Sequence, residues 1–308
     1  MDVTVIGSCM TDLVSYVPRL PKPGETLHGT KFAIGFGGKG ANQCIVAARL
    51  GAKTAMVAKV GDDTFGKDYI QNFKDNQVMI EHVEVTSAAG TGVAPICVNQ
   101  EGQNSIVIVA GANLLLTEDN VRAAEAVVKE TKIVVCQLEI PAQSTLAALK
   151  LAKKHNVRSI FNPAPAQSGL SDEFFSECHI FCANETEAEI LTGLPVKDIE
   201  GACKATLALL DKGCSVVILT LGVMGSVFAT QENRKPIHVA AQSVTAVDTT
   251  GAGDAFVGAL AYYLSNSPSL TLQEIIQRST EVAGVSVQSP GTQTSFPWKK
   301  DLPPKLFS

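Results

Sequence analysis

The sequence predicts an α/β protein with a doubly wound, mostly parallel sheet, helices on both faces and a small additional β-sheet. Between about residues 50 and 230, short β-branched apolar runs alternate with longer segments of helical periodicity, as a parallel sheet buried on both faces requires. Two stretches, about 12–36 and 90–110, instead alternate as short strands. We expect one domain over 1–308, with these insertions forming a lid over the sheet edge that binds ligands.

The strands and helices follow from the chain in order. The first eight residues read as a strand that begins at once, and later strands are predicted at 54–60, 133–137, 157–161, 178–182 and 215–220. Helices are predicted at 64–76, 117–130, 143–155, 184–192 and 198–212, and two long helices, about 254–265 and 271–288, close the chain. Thr117 and Ser144 lie near helix starts, Gly213 is a stop, and a hairpin is expected around Asn99–Gly102.

Composition and charge favour a small-molecule partner. The 308 residues, 45% of them hydrophobic, can fill a sizeable core. A net charge of −5 with no run of five like charges gives no reason to expect nucleic acid or an anionic membrane surface as a partner. No span approaches the roughly 18 apolar residues of a membrane helix.

Cysteine usage and the first residues favour a cytoplasmic protein. The eight cysteines are scattered, mostly inside apolar runs, as reduced core residues would be. The start lacks the basic and long apolar regions of a secretion signal. Cys178 and Cys182 do not form a C-x-x-C pair and have only His179 nearby, so a zinc site is not expected.

The most informative motif is the segment 246–259, which reads as a strand end, a tight turn at 251–253 and a helix starting at Asp254. Successive backbone N–H groups at such a turn bind phosphate, and glycines let the phosphate approach closely. A carboxylate there can accept a proton beside the phosphate that is transferred. Asp254 could instead be only a helix N-cap, but this does not explain the preceding acid, two threonines and two glycines together.

A second glycine-rich block, 35–42, admits two rival interpretations. It satisfies G-x-G-x-x-G, and Asp62 and Asp63 follow at the spacing of a dinucleotide fingerprint, which would indicate a nicotinamide-dependent oxidoreductase. That fingerprint belongs to the first strand–helix turn of a βαβ unit, whereas residues 32–36 read as part of the lid. A P-loop is excluded because Lys39 is followed by Gly40 rather than Ser or Thr. Phosphates must therefore be held by the 251–254 turn.

Four motifs, in order along the chain, resemble those of the ribokinase family of carbohydrate kinases: residues 35–42, Asn184 with Glu187, 219–225 and 246–259. The resemblance covers essentially the whole chain through Gly7-Ser8 with Asp12, Gln137-Leu-Glu139, Phe161–Pro165 and the terminal Ser286, Gly291 and Ser295. It implies ATP-dependent phosphorylation of a sugar, with ribose as the expected acceptor.

The same resemblance implies a set of site residues, with Asp254 as the catalytic base. The sugar would be held by Met10, Thr11, Asp12, Gly38, Lys39, Gly40, Ala41, Asn42, Glu139 and Asp254. ATP would be bound by Asn184, Thr220, Leu221, Gly222, Val223, Met224, Gly225, Gly251, Ala252, Gly253 and Thr280. A monovalent cation, potassium before sodium, would be held by Asp248, Thr250, Ser286, Ser289, Gly291 and Ser295, and Mg²⁺ by Glu187 through water.

Two residues depart from the family pattern. Met10 stands where many relatives carry an asparagine near the sugar, and Thr280 where relatives place Asn or His against the nucleotide. Taken singly, Asp12 would be a turn residue, Glu139 a solvated acid and Lys39 a loop cation. Asn184 and Glu187 fit an exposed helix start about as well as a magnesium shell.

Several functional alternatives remain open. The acceptor could be fructose, adenosine or a modified nucleoside, or the chain could be a non-catalytic sugar- or nucleotide-sensing protein on the same fold. The intact acid and glycines of the 251–254 turn argue against the second alternative. Edge strands of the lid sheet pairing across a two-fold axis would give a homodimer.

Overall fold

A computed structural model describes residues 1–308. Its strands are β1 (Val3–Ile6), β2 (Met10–Tyr16), β3 (Lys31–Gly37), β4 (Thr54–Gly61), β5 (Met79–Thr86), β6 (Gly92–Val98), β7 (Asn104–Ile106), β8 (Ile133–Cys136), β9 (Arg158–Phe161), β10 (Ile180–Asn184), β11 (Val216–Thr220), β12 (Ser226–Thr230) and β13 (Ile237–Val239). Its α-helices are α1 (Lys39–Arg49), α2 (Thr64–Asp75), α3 (Glu118–Ala123), α4 (Glu125–Lys129), α5 (Ala142–Lys154), α6 (Glu173–Glu177), α7 (Glu185–Thr192), α8 (Ile199–Asp211), α9 (Ala252–Asn266) and α10 (Leu272–Ser286).

The main sheet has nine strands in the order β13-β12-β11-β10-β9-β8-β1-β4-β5. All neighbours are parallel except where β12 and β13 join as antiparallel strands. The chain proceeds from β1 to β4 and β5 on one side and from β8 onward on the other, so the strand order reverses between β1 and β8. Ligands of doubly wound sheets bind at the carboxyl ends of strands beside such a point. The predicted fold class is confirmed.

Each face of the main sheet carries its own hydrophobic core. One cluster of 39 buried residues joins the sheet to α1, α2, α9 and α10, and another of 36 joins it to helices that include α5 and α8. Alternate residues of a strand point to opposite faces, so Ile133 and Val135 belong to the first core whereas Val134 and Cys136 belong to the second. Helices therefore cover both faces, as predicted.

The two inserted stretches contribute β2, β3, β6 and β7, which form a separate four-stranded sheet in the order β3-β2-β6-β7. The expected hairpin is present, since the Asn99 amide donates to the Gln103 carbonyl over 3.0 Å. The edge strands expose large apolar side chains, among them Phe32, Ile34 and Ile106. The edges of the small sheet thus keep uncovered apolar surface.

Several predicted boundaries need correction. The predicted helix 117–130 is two helices, because the Ala124 amide donates to the Val121 carbonyl and tightens the turn between them. The helix predicted to start at Asp254 begins at Ala252. Strands β5, β12 and β13 were not predicted: β5 is a mostly half-exposed edge strand, and the other two return antiparallel. In contrast, Ser144 lies in the first turn of α5, as expected, and its hydroxyl donates to the Leu116 carbonyl.

Two local sequence signals, at Thr117 and Gly213, are confirmed. Thr117 is the N-cap of α3 in a capping box, and Gly213 follows α8 with φ of 114°. None of the eight cysteines forms a disulfide. None of the helices has both the length and the apolar content needed to cross a membrane.

Candidate active site

A pocket of ≈ 150 Å³ lies at the carboxyl ends of the main-sheet strands. It is lined by Lys39, Asn162, Ala164, Cys182, Ala183, Asn184, Glu187, Thr220, Thr249, Gly251, Ala252, Gly253, Asp254 and Val257. A wider groove of ≈ 640 Å³ is lined by ten residues between Ser15 and Phe32 and by Cys97, in the small sheet and its loop. We place the site in the smaller pocket, because only that pocket brings predicted site residues from several strand ends together.

The 251–254 turn opens α9 and forms one wall of the pocket. Gly251 precedes the helix with φ of 79°, and a Cβ on it would lie 2.9 Å from Cγ2 of Thr292. Gly253 is exposed, and no atom lies within 4 Å of where its Cβ would be. The first N–H groups of a helix have no partner within it and attract anions. The turn therefore offers a phosphate both donors and open space.

Asp254 is the third residue of α9 and is not its N-cap; the N-cap position belongs to Gly251. The interpretation of Asp254 as a simple cap is therefore wrong. Its side chain is buried, Oδ2 accepts from Nδ2 of Asn42 over 2.9 Å, and Oδ1 accepts from Nε2 of Gln43 over 3.0 Å. One turn later, a Cβ on Gly258 would lie 2.6 Å from the Gln43 carbonyl oxygen, so the glycine allows α9 to approach α1 closely.

Acidic and basic groups converge beside Asp254. Oε2 of Glu139 accepts from Oγ of Ser8 over 2.6 Å and from the Lys39 amide over 2.8 Å. Burial raises the pKa of Glu139, although Lys39 and these hydrogen bonds oppose it. The Asp254 carboxylate above all, with Glu139 and Glu187, raises the pKa of Lys39 against the effect of burial. The lysine is therefore a half-buried cation that the charges of three carboxylates stabilise.

The small sheet contributes Met10, Thr11 and Asp12 from β2. Met10 and Thr11 are buried, and a Cβ on Gly37 would collide with the Asp12 carboxylate. Burial and the nearby charges of Glu139 and Asp254 raise the pKa of Asp12 to about 7. Gly38, with φ of 88°, passes so close to β2 that a Cβ on it would lie 2.8 Å from the Met10 amide nitrogen. Packing against β2 therefore requires a glycine at 38.

The start of α1 completes this side of the site. Gly40, Ala41 and Asn42 are buried, and the Gly40 amide donates to Oγ of Ser8 over 3.3 Å. A Cβ on Gly40 would lie 2.5 Å from the Ser8 amide nitrogen. The block 35–42 includes the end of β3, which pairs antiparallel with β2 in the small sheet. The dinucleotide fingerprint therefore lacks its strand in the main sheet.

The predicted nucleotide residues are only partly brought together. Asn184 and Thr220 line the pocket with the 251–254 turn. Asn184 is the N-cap of α7, in a reciprocal capping box with Glu187. Residues 222–224 form a 3₁₀ turn, closed by a hydrogen bond from the Leu221 amide to the Gly225 carbonyl, with Val223 95% exposed. This turn does not line the pocket.

Thr280 lies on α10 and also does not line the pocket. Its hydroxyl donates to the Ile276 carbonyl one turn earlier over 2.9 Å. The side chain is therefore engaged within its own helix.

The predicted cation segments lie side by side. Asp248 accepts from the Thr250 amide with one oxygen and from the Gly291 amide with the other, each over 2.9 Å. These hydrogen bonds lower the pKa of Asp248 although burial opposes them. Ser286 and Ser295 are buried, with hydroxyls donating to local carbonyls, whereas Ser289 is exposed. No cluster of three or more His, Cys, Asp or Glu side chains could hold a metal ion.

Sequence reasoning missed a group of neutral side chains around Asp254. Besides Asn42, the carboxylate is held by Gln43, whose Nε2 also donates to Oδ1 of Asn162 and whose Oε1 accepts from Nε2 of Gln137 over 2.6 Å. Asn42 in turn accepts from Gln293. Gln137 ends one predicted strand, Asn162 directly follows another, and Gln43 directly follows the glycine-rich block. Position at strand ends was the signal that could have found them.

A buried carboxylate within a helical turn that binds anions is an arrangement for moving phosphate onto a hydroxyl group. The fold and the site together define the class of small-molecule kinases. Residues 1–299 match the model of the pfkB family of carbohydrate kinases. The chain belongs to this family.

Individual relatives cover nearly the whole chain. It is 55% identical over 305 residues to the mouse protein named ribokinase, covering 99% of this chain and 94% of the relative. It is 41% identical over 297 residues to a deoxyribokinase of Salmonella typhi, covering 96% of each. It is also similar to the solved structure of Arabidopsis thaliana ribokinase complexed with ribose and ATP, with a TM-score of 0.88, 31% identity and coverage of 97% of this chain and 96% of that one.

Proposed function

We propose that this chain transfers the γ-phosphoryl group of ATP to O5 of ribose, giving ADP and ribose 5-phosphate. The observation that carries the proposal is the buried Asp254 carboxylate, held by two amides in the first turn of α9. The mouse relative named ribokinase and the Arabidopsis structure with ribose and ATP support both substrates.

In the proposed mechanism, Asp254 is the general base. Its carboxylate accepts the proton of the ribose O5 hydroxyl as that oxygen attacks the γ-phosphorus, and the bond from phosphorus to the β,γ-bridging oxygen of ATP breaks. Phosphoryl transfer depends on positioning and on neutralising charge more than on covalent help. The N–H groups of the 251–254 turn and the Lys39 ammonium would stabilise the transferring oxygens.

The sugar would be held by two half-buried acids. Carboxylates of Asp12 and Glu139 accept hydrogen bonds from sugar hydroxyls, and the Asn42 amide can both donate and accept. The remaining sugar contacts would come from Met10, Thr11, Gly38, Lys39, Gly40 and Ala41. Closure of the small sheet as a lid, within a single domain, would exclude water, which otherwise competes as acceptor.

Two ions belong to the proposal. Glu187 lines the pocket, and its Oε2 accepts from the Asn184 amide; it would hold Mg²⁺ through water, and the ion would neutralise phosphate oxygens. A potassium ion would lie between the segments of Asp248 and Thr250 and of Ser286, Ser289, Gly291 and Ser295. Carbonyl and hydroxyl oxygens suit such a hard ion, and the link between Asp248 and Gly291 already joins the two segments.

Location and assembly are further parts of the proposal. Eight free thiols, most of them buried, suit a cytoplasmic protein. The exposed apolar side chains of β3 and β7 support a homodimer formed through the small sheet.

The test is ADP release with ribose, 2-deoxyribose, fructose and adenosine at equal concentration. We expect ribose to give the highest kcat/KM, because a missing hydroxyl leaves buried polar groups unpaired at about 1–3 kcal/mol, or about 5- to 150-fold. 2-Deoxyribose is the strongest competitor, given the Salmonella deoxyribokinase. Faster turnover of adenosine would overturn the sugar assignment, and no ADP release with any acceptor would indicate a binding protein.

A further inference from the structure

An unbroken series of side-chain hydrogen bonds runs from Arg49, at the end of α1, to Asp254. Nε of Arg49 donates to Oδ1 of Asn76 over 2.9 Å, and Nδ2 of Asn76 donates to Asn72, over 2.8 Å to its backbone carbonyl and over 3.3 Å to its Oδ1. Nδ2 of Asn72 donates to Oε1 of Gln293 over 2.9 Å, and Nε2 of Gln293 donates to Oδ1 of Asn42 over 3.0 Å. Nδ2 of Asn42 completes the series at Oδ2 of Asp254 over 2.9 Å.

This series can run in one direction only. A guanidinium group has donors and no acceptor, and an ionised carboxylate has acceptors and no donor. Each of the four amides between them has an oxygen on one side and an NH₂ group on the other. With Arg49 fixed as donor and Asp254 as acceptor, every amide must turn its oxygen toward Arg49 and its nitrogen toward Asp254.

A branch of the series holds the backbone before the sugar-binding block. The second N–H of Gln293 donates to the Tyr69 hydroxyl over 3.1 Å, and that hydroxyl donates to the Gly37 carbonyl. Arg49 also donates through Nη1 to the carbonyls of Gln293 and Phe296. Asn42, Gln293 and Tyr69 are all buried, so water cannot readily replace their partners.

We propose that Arg49, Asn76, Asn72 and Gln293 are positioning residues whose combined polarity keeps the NH₂ group of Asn42 turned toward Asp254. The proposal rests on the assigned role of Asp254 as base. Exchanging donor and acceptor at any hydrogen bond of the series would make each following amide exchange the positions of its oxygen and its NH₂ group. Oδ1 of Asn42 would then face the Asp254 carboxylate, and two acceptors in contact would displace it from the substrate hydroxyl.

The decisive variant is Asn72→Asp, because residue 72 is half-buried on α2 and does not touch Asp254. A carboxylate at position 72 can accept from Asn76 but cannot donate to Gln293. Gln293 must therefore turn its NH₂ group toward residue 72 and its oxygen toward Asn42. We expect kcat to fall by about 10²-fold, the loss that a misplacement of about 1 Å can cause, with an unchanged KM for ATP. Asn72→Ala interrupts the series without reversing it and should keep more activity.

Gln71→Glu is the matched control, since it makes the same change from amide to carboxylate one residue away on α2. Gln71 is exposed and donates only to Asp75 on its own helix. Its kcat should equal that of the parent. The thermal midpoint of each variant is measured alongside, because a merely structural role predicts that activity follows stability and that Asn72→Ala is impaired as much as Asn72→Asp.

Three outcomes decide the proposal. A kcat for Asn72→Asp well below that of Asn72→Ala at a similar or higher midpoint supports it, and equal kcat values for the two variants overturn it. If Asn72→Asp does not fold, Gln293→Glu imposes the same reversal one link nearer and must show the same split between kcat and KM. Asp254→Asn is measured in parallel: if it is inactive while Asn72→Asp is fully active, only the positioning role fails, whereas an active Asp254→Asn overturns both.

Discussion

The proposed sugar and nucleotide sides of the site differ in how far the protein's own contacts hold their side chains. On the proposed sugar side, hydrogen bonds hold Asn42 and Glu139, and nearby carboxylates stabilise the Lys39 cation. Asp12 is half-buried beside them. On the nucleotide side, Thr249, Thr250 and Gly253 are exposed. The acceptor side is therefore organised before substrate arrives, whereas the phosphate side offers open donors that the nucleotide must complete.

This difference matches what phosphoryl transfer requires of the acceptor and of the nucleotide. A base and an acceptor hydroxyl must be aligned closely, and alignment supplied in advance lowers the barrier. A phosphate group carries its own charge and several acceptor oxygens, so it can organise a loop by binding to it. Substitutions on the sugar side should accordingly change kcat or the KM for sugar, and changes on the nucleotide side should respond to ions.

The largest effect is expected for Asp254→Asn. Asparagine keeps the size of the residue but cannot accept the O5 proton, and a positioned base contributes roughly 10²–10⁴-fold. We expect kcat to fall by that factor. Because the asparagine can accept from only one of Asn42 and Gln43, the free energy of unfolding should fall by about 1–3 kcal/mol, which leaves the protein folded. Steady-state kinetics and thermal melts measure the two quantities.

Asp62→Asn provides the control for that substitution, since Asp62 is exposed and its ion pair with Lys67 is at the surface. This variant should keep parental kcat. An Asp254→Asn protein that folds and turns over at the parental rate would contradict the assignment of the base.

The next effect is expected for Glu139→Gln, which tests the sugar side separately. Oε2 of Glu139 accepts from both Ser8 and the Lys39 amide, and a neutral amide would weaken or lose these bonds and one bond to the sugar. Hydrogen bonds to charged groups contribute about 1.5–3 kcal/mol, so the KM for ribose should rise by about 10- to 150-fold. The KM for ATP should not change. An equal rise in both constants would show that the two sides are not independent.

A smaller effect is expected from the monovalent cation, which would act on the nucleotide side. An ion between Asp248 and the terminal segment would order the turn that follows at 251–254. We expect the rate in potassium to exceed that in a bulky organic cation, at matched ionic strength, by at least about fivefold, the lower end of usual coupling between sites. Asp248→Asn should reduce this difference. Identical rates in both salts would refute the cation site.

The sequence predicted the elements whose signal is local. A tight glycine turn before Asp254 and a hydrophobic period are visible in a few neighbouring residues, so the fold class and the position of the acid followed from them. The start of α9 was misplaced by two residues because Gly251 takes the cap position with a positive φ, which no pattern in 248–254 indicates.

The amides that hold Asp254 could not be predicted in the same way. Gln293 contacts Asn42 across 251 residues of sequence, and Gln43 contacts Asp254 across 211. Amide side chains occur widely on surfaces and in turns, so their type alone carries no signal. Their role arises only when α1, α9 and the terminal loop converge, which depends on the packing of glycines such as Gly258.

The smallest effect is a pH dependence of stability, expected from Asp12. Burial first, then the charges of Glu139 and Asp254, raise the pKa of Asp12 from 3.8 to about 7, so the fold favours its protonated form. Its contribution to stability is therefore full below the unfolded pKa and is lost as the pH rises through about 7. Asp12→Asn cannot ionise and should escape this loss. The variant should gain stability relative to the parent between pH 5 and pH 7 and gain no more above pH 8.

Thermal melts of both proteins without ligand, at pH 5, 6, 7 and 8, measure the effect. Each kcal/mol corresponds to roughly 2–4 °C in Tm for a domain of 150–250 residues, and one unit of pKa shift to about 1.4 kcal/mol. A difference in Tm between the two proteins that does not change with pH would show that ionisation of Asp12 does not destabilise the parent. A difference in Tm that grows toward pH 7 would show that the ionised Asp12 carboxylate lowers the stability of the parent. The same carboxylate could then accept hydrogen bonds from the sugar hydroxyls.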